Sequence, residues 1–353
     1  MKISFILPTL IKIPIGGVKV IYRHAEELSK LDHKVTIISP VGEGKHLYHL
    51  LKTYAIKIRD YWHNVKNIPY YNTPTNVEHH IIPSPSPEHI PDGDIIIATG
   101  WQTAKWVNEL PRSKGEKYYF IQGKETWLGN SDKIIDTWKL PLKKIVIAQW
   151  LEQTAIKMGE TVFGQVPNPI DPKEFYITKP IETRQTQISM LYHRHPIKGA
   201  KEGILVLKKI KKLYPATTAT IFSSRKPSFF IPSWINIEIR ASIPKLREIY
   251  NSSAIFLHTS YTEGWPLPPA ESMMCGCAVV ATANKGIQEY ITHNESGLLS
   301  SIGNVDSMVE NIQYLLDNPM ERIRIAIKGQ KTICQFSWEK STKHLENILV
   351  KAR

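Results

Sequence analysis

Short runs of aliphatic and β-branched residues alternate with helix-length amphipathic patterns along nearly the whole chain, and this alternation restricts the fold more than any other feature. A first series of strands is read at residues 2–7, 34–39 (KVTIIS), 77–83, 94–98 (DIIIA), 117–122, 144–148 (KIVIA) and 162–166. A second runs through 187–192, 218–222, 235–239, 254–258, 277–282 and 297–300. Helical patterns fall between them at 18–31, 101–110, 149–158, 200–214, 244–252, 305–316 and 320–336. Apolar runs joined this way belong to parallel sheets covered on both faces. The expected fold class is therefore α/β, with two doubly wound parallel-sheet domains facing one cleft.

The two series part where Pro167-Asn168-Pro169-Ile170-Asp171 interrupts the pattern and a Thr-, Lys- and Gln-containing stretch without periodicity follows. This predicts a first domain over 1–172, a linker over 173–186 and a second domain over 187–336, with an amphipathic segment at 337–353 returning to the first domain. Residues 41–76 break the βα rhythm and read as a helix-bearing insertion with loops. At 353 residues, 42% hydrophobic and 22% charged, the composition is globular and long enough for two cores. The net charge of +13 is spread over both halves and points to anionic partners such as nucleotides, phosphates, nucleic acid or an anionic membrane surface, among which charge alone does not choose. Three cysteines make no disulfide framework, which fits the cytoplasm. Pro8, Lys12 and Pro14 break the apolar N-terminus, so it reads as a strand, and no stretch approaches eighteen consecutive apolar residues. Membrane contact is thereby limited to the periphery. No Walker loop and no aromatic-basic nucleic-acid motif is present, so nucleic acid is not an expected partner.

The stretch 261–282 (YTEGWPLPPAESMMCGCAVVAT) carries the densest chemistry. Glu263 sits in a turn-like segment, and Glu271 lies eight residues on, about one turn inside a helix that Pro266, Pro268 and Pro269 help to start and Gly276 ends. Each carboxylate can face a ligand or serve as a helix-dipole or capping group. Arg194 and Lys198 follow the first strand of the second domain and can converge on a phosphate, or remain a solvated pair. Gly16-Gly17 opens the first helix, either as a bare turn or as backbone approaching a phosphate. Gln122, Glu125 and Trp127 leave another strand end, where polar groups beside an aromatic suit a sugar; a solvated loop is the alternative. Cys275 and Cys277 lack a second ligand pair and read as small buried residues, so no metal site is expected.

The run from Glu263 to Gly276 resembles the E-x7-E signature of retaining glycosyltransferases of family 4, which have the GT-B architecture of two Rossmann-like domains. Gly16-Gly17, the Pro-Asn-Pro-Ile-Asp segment, Arg194 with Lys198-Gly199, residues 286–289 and Ser296-Gly297-Leu298-Leu299 are similar to that family as well. The resemblance implies that Arg194 and Lys198 hold the diphosphate of a nucleotide-sugar donor, with Glu263 by the donor sugar and Glu271 on the ribose. Gly16, Gly17, Trp265, Leu267 and Pro268 join the donor side, while Gln122, Glu125, Trp127, Trp101 and Thr99 fall to the acceptor, a glycan or lipid-linked glycan. It also implies transfer without a metal or other cofactor. Thr99 stands where family members often have His, the interval from Arg194 to Lys198 is one residue shorter than the commonest form, and Pro169 follows Asn168 where Gly is usual, so donor identity does not carry over. A nucleotide-sugar 2-epimerase-like enzyme and a non-catalytic nucleotide-sugar or glycan-binding subunit are the rival readings.

Overall fold

The computed structural model describes residues 1–10, 15–41, 67–68, 71–72, 76–126 and 131–351. Most of the expected insertion at 41–76 thus lies outside the described residues. The chain divides into two compact units, one of Met1–Pro167 with Trp338–Arg353 and one of Asn168–Ser337.

The first unit holds a seven-stranded sheet in the order β5-β2-β1-β6-β7-β8-β9. Its strands are β1 (Lys2–Ile6), β2 (Lys34–Pro40), β5 (Val77–Ile82), β6 (Ile95–Ala98), β7 (Glu116–Ile121), β8 (Lys143–Val146) and β9 (Val162–Gln165), every neighbouring pair parallel. Two-residue strands β3 (Asn67–Ile68) and β4 (Tyr71–Asn72) pair separately. Burial follows strand position: central β6 is buried at every residue, whereas edge strand β5 alternates and β9 is half-exposed. That is why the central runs are continuously apolar and the edge runs are not. Helix α1 (Gly16–Ser29) connects β1 to β2, and α2 (Trp101–Glu109) connects β6 to β7. Helix α3 (Ser131–Trp138) was not expected from the sequence; its buried Ile134, Thr137 and Trp138 span little more than one helical turn of pattern. Helix α4 (Gln149–Lys157) precedes β9.

The second unit holds a six-stranded parallel sheet, β12-β11-β10-β13-β14-β15. The strands are β10 (Gln187–Leu191), β11 (Thr218–Ser223), β12 (Ile235–Ile239), β13 (Ile255–His258), β14 (Ala278–Thr282) and β15 (Leu298–Ser300). Helices α5 (Ala200–Leu213), α6 (Ile243–Ser252), α7 (Leu267–Met274), α8 (Val305–Asp317) and α9 (Pro319–Ile333) complete it. One core of Ile188, Met190, Ile204, Leu207, Ile255, Leu257, Val280 and Ile312, among others, joins the sheet to its helices. A single 3-10 turn, Ile287–Glu289, lies between β14 and β15. The segment 173–186, expected as a linker, lies in this unit. Arg184 is 6% exposed and donates to the carbonyls of Lys179, Ser253 and Cys275, which ties the segment to the C-terminal ends of α6 and α7.

The last helix, α10 (Trp338–Lys351), belongs to the first unit by contact. Ser341 donates to the carbonyl of Pro167 at 2.9 Å, Glu346 Oε1 stands 2.9 Å from His33 Nε2, and the Trp338 ring packs edge-on against His24.

Candidate functional site

In an open parallel sheet, ligands bind beyond the carboxyl ends of the strands where the strand order reverses. In the second unit that point lies between β10 and β13, since the chain leaves β10 toward β11 on one side and takes up β13 on the other. The loops after β10, β13 and β14 are stitched together there. Tyr261 N–H donates to the Ile197 carbonyl at 2.8 Å, the Thr259 hydroxyl to the Lys198 carbonyl at 3.0 Å, and the Asn284 amide to the Ser260 carbonyl at 3.0 Å. Gly199 holds φ +61°, and a Cβ on Gly286 would stand 2.6 Å from the Glu263 carbonyl oxygen, so both positions need the missing side chain.

This stitching brings Lys198 and Glu263 together across 65 residues, with Nζ 2.7 Å from Oε1. His258 Nε2 lies 3.9 Å from the same oxygen. Burial works to raise the Glu263 pKa, but Lys198 and then His258 more than offset it, leaving the carboxyl below its ordinary value. Burial lowers the His258 pKa to about 4, against the pull of Glu263. The resting site is therefore a carboxylate–ammonium pair beside a neutral imidazole. His193, in the loop after β10, is held below its ordinary pKa by burial and then by Lys198.

Glu271 is the fifth residue of α7 and is 8% exposed, accepting from the Tyr250 hydroxyl at 3.1 Å. Burial first, and Glu271 second, push the Tyr250 pKa well up, so the phenol stays a donor. Gly276, at φ +82°, follows the helix. The start of α7 offers few amides: Pro266, Pro268 and Pro269 have no N–H, and Leu267 alone among the cap and first three helical positions carries one. Pro268 thus brings no donor to a ligand. The Trp265 side chain turns inward instead of toward a ligand. It is 4% exposed and packs 4.5 Å from Tyr290 and 5.4 Å from Phe336, leaving its backbone for contact. Its carbonyl receives the Asn168 amide at 3.4 Å, and the Pro266 carbonyl receives the Tyr290 hydroxyl at 2.6 Å, so two distant segments hold this loop.

Arg194 does not join Lys198. It is exposed, and its Nε and Nη2 donate to the carbonyl of Lys226 at 2.9 and 2.7 Å. Cys275 and Cys277 are buried thiols, with Cys277 donating to the Tyr250 carbonyl, and burial drives the Cys277 pKa up to about 12. Among the described residues, no group of three or more His, Cys, Asp or Glu side chains is placed to hold a metal ion.

The first unit gathers its own set of polar groups where its strand order reverses, between β1 and β6. Gly16 and Gly17 are the first residues of α1, and a Cβ on Gly17 would meet Gln122 Oε1 at 3.0 Å. That Gln122 oxygen and Trp101 Nε1 are buried without a hydrogen-bond partner among the described residues. The Trp101 backbone N–H donates to Glu125 Oε2 at 3.2 Å, and burial raises the Glu125 pKa to about 7. Thr99 is buried, its hydroxyl donating to the Ile6 carbonyl at 2.7 Å. An unpartnered acceptor, an unpartnered donor and a carboxyl near neutrality suit hydroxyl groups better than an anion. Trp127 lies outside the described residues.

Residues 235–332 match the model of the family "Glycosyl transferases group 1". That span lies within the second unit. The matched span includes Glu263, Glu271 and His258, while Lys198 and Arg194 precede it. An uncharacterized glycosyltransferase of Haemophilus influenzae is 26% identical over 207 residues, covering 56% of this chain and 58% of that protein. An N,N'-diacetylbacillosaminyl-diphospho-undecaprenol alpha-1,3-N-acetylgalactosaminyltransferase of Campylobacter jejuni is 29% identical over 89 residues, 25% of this chain and 24% of its own length. The chain thus spans from about a quarter to somewhat over half the length of these curated relatives. Among solved structures, Anabaena HepE in complex with UDP-glucose superposes with a TM-score of 0.76 at 16% identity, covering 99% of this chain and 100% of that one. A sucrose-phosphate synthase from Thermosynechococcus elongatus gives 0.73 at 13% identity over 99% of this chain and 98% of that one. The shared fold is GT-B, with two Rossmann-like parallel-sheet domains.

Three residues of the second unit's site escaped the sequence reading: His258, Tyr250 and Tyr290. Each sits in a pattern that reads as core; the two tyrosine hydroxyls meet their acceptors, and His258 comes to stand near Glu263, only through the tertiary fold. The one available signal was His258 ending an otherwise aliphatic strand, IFLH.

Proposed function

We propose that this chain is a retaining glycosyltransferase of family 4, moving a sugar from a nucleoside-diphosphate sugar to a glycan or lipid-linked glycan acceptor without a bound metal. The observation that carries the reading is the Lys198–Glu263 pair beyond β10 and β13, with Glu271 eight residues further on at the start of α7. In this reading a diphosphate competes with Glu263 for Lys198, and Arg194 leaves the Lys226 carbonyl to join it. Two cations on the departing diphosphate stabilise charge that grows in the transition state, which is where a contact accelerates reaction. Glu271 accepts from the ribose hydroxyls, and Glu263, released from Lys198, accepts from a hydroxyl of the donor sugar. Gly16 and Gly17 belong to the donor side in this reading, and Gln122, Glu125, Trp101 and Thr99 take acceptor hydroxyls.

The complex of Anabaena HepE with UDP-glucose and the lipid-diphosphate acceptor in the Campylobacter relative's name support donor and acceptor classes of this kind. The +13 charge supports a cytoplasmic protein attached to an anionic membrane surface, and no described helix is long and apolar enough to cross the bilayer. The test is a thermal-shift screen against nucleotide sugars, followed by transfer to lipid-linked and free glycans with the product's anomeric configuration read by NMR. The reading expects one donor to raise the melting temperature, transfer with retention, and turnover unchanged by EDTA. A screen in which no nucleotide sugar stabilises the protein would refute it.

A further inference from the structure

His258 ends β13 beside Ala281 of β14, 3% exposed, and its Nε2 has no hydrogen-bond partner among the described residues. Buried polar atoms are almost always satisfied, so an unsatisfied one calls for an account. His79, another buried histidine, shows the ordinary arrangement, with Nε2 at 2.8 Å from the Ser39 hydroxyl. His24 also leaves Nε2 unpartnered, but its ring packs against Phe120 and Trp338. His258 differs because its free nitrogen lies 3.9 Å from the Glu263 oxygen that Lys198 occupies at 2.7 Å.

We infer that His258 is a positioning residue that takes hold of Glu263 when the diphosphate of a nucleotide sugar draws Lys198 away, an inference that rests on the donor site proposed above. A diphosphate carries more negative charge than one carboxylate and captures the ammonium. Glu263, 13% exposed, then loses its cation while remaining largely out of water. The Ser260 side chain still donates to it, but one hydroxyl leaves a buried carboxylate under-compensated, which is unfavourable. The other groups near it are Lys198, His258, His193 and Tyr290. The Tyr290 hydroxyl already serves the Pro266 carbonyl, and His193 Nδ1 accepts from the His195 N–H. His258 Nε2–H needs to close by about 1 Å to reach hydrogen-bond distance. As a neutral donor it orients Glu263 toward the sugar without adding a second cation that would compete with Lys198 for the phosphate.

The experiment compares wild type, His258→Gln and His258→Asn in the full chain, using the nucleotide sugar that gives the largest thermal shift, and measures turnover, donor KM and melting temperature. Gln places its amide nitrogen near the position of Nε2, whereas the shorter Asn does not reach it. Expected is a turnover loss of about tenfold or more for His258→Asn, with donor KM little changed, His258→Gln close to wild type, and both variants melting together. Wild-type turnover in His258→Asn, an equal loss in both variants, or an effect confined to KM overturns the inference. Should either variant fail to fold, imidazole 15N spectra of the wild type decide: saturating UDP, GDP or ADP, whichever binds, should shift the His258 Nε2 resonance, and an unmoved signal overturns the inference. A wild type that binds no nucleotide and transfers no sugar overturns the donor-site reading itself, whereas an active wild type with an active His258→Asn overturns this inference alone.

Discussion

Gly199→Ala tests how the loops after β10 and β13 hold the Lys198–Glu263 pair. The added Cβ would lie 2.1 Å from the Thr259 carbonyl oxygen and 2.9 Å from its carbon, against 3.4 Å for ordinary contact. The obstruction is backbone, so no rotamer change relieves it, and the loops must part by roughly 1.3 Å at this point. That movement stretches the Tyr261–Ile197 and Thr259–Lys198 hydrogen bonds and displaces Lys198. A second cost comes from φ +61°, which a residue bearing a Cβ occupies at about 1 kcal/mol or more. Gly303→Ala separates the two costs, since Gly303 lies in the same unit at φ +76° and its Cβ would meet nothing nearer than the Tyr261 hydroxyl at 3.8 Å. We expect a loss of about 1 kcal/mol for Gly303→Ala, partly offset by the stiffer unfolded chain. For Gly199→Ala the overpacking adds a further 1–3 kcal/mol, roughly. Urea titrations give the stabilities, and turnover with saturating donor should fall only in Gly199→Ala. Equal stability losses in the two variants, or full turnover in Gly199→Ala, would refute the argument that backbone approach at Gly199 sets the position of Lys198.

Other expectations follow from the same geometry. Lys198→Ala should lower turnover at least tenfold, about 1.4 kcal/mol, in a donor-saturated assay. Tyr250→Phe removes the donor to Glu271 and should cost about 1–2 kcal/mol of stability by urea titration and raise the donor KM. Stability should fall as pH drops from 7 to 5, because burial depresses the pKa of His24 to about 3 and of His79 and His258 to about 4 while the unfolded chain takes up protons near 6.5. Each histidine contributes about 2 kcal/mol over that interval, so stability is full above pH 6.5 and is lost toward pH 4. Two of the three lie in the first unit, but Glu125 there, its pKa raised to about 7, takes up a proton in the folded state over the same interval and offsets one of them by about 2 kcal/mol, so the unfolding transitions of the two units should move by similar amounts; a first-unit shift twice that of the second would contradict the assignment.

The patterned elements were legible because a strand's environment is written into its own residues. β6 reads IIIA because it is buried at every position in the middle of a sheet. Helix α7 was legible from the prolines before it and the glycine after it, and Glu271 was placed correctly one turn inside. Helix α3 was not, because an eight-residue helix that buries Ile134, Thr137 and Trp138 repeats its pattern too few times to be told from a loop. The aim of the Trp265 side chain is a different case: Tyr290 and Phe336, 25 and 71 residues away, enclose it, and no local pattern announces them.

By itself, then, the sequence determined two parallel α/β sheets, the βα loops that carry Lys198 and Glu263, and the helix that carries Glu271, since hydrophobic period and turn chemistry are local properties. Only the tertiary structure decided that Lys198 meets Glu263, that Arg194 goes to Lys226 instead, and that His258 stands beside the pair with a free nitrogen. Those contacts depend on β10 lying next to β13, with 63 residues of chain between their ends. Strand order and the aim of a side chain past its loop are set by the packing of the whole unit, which no local pattern encodes.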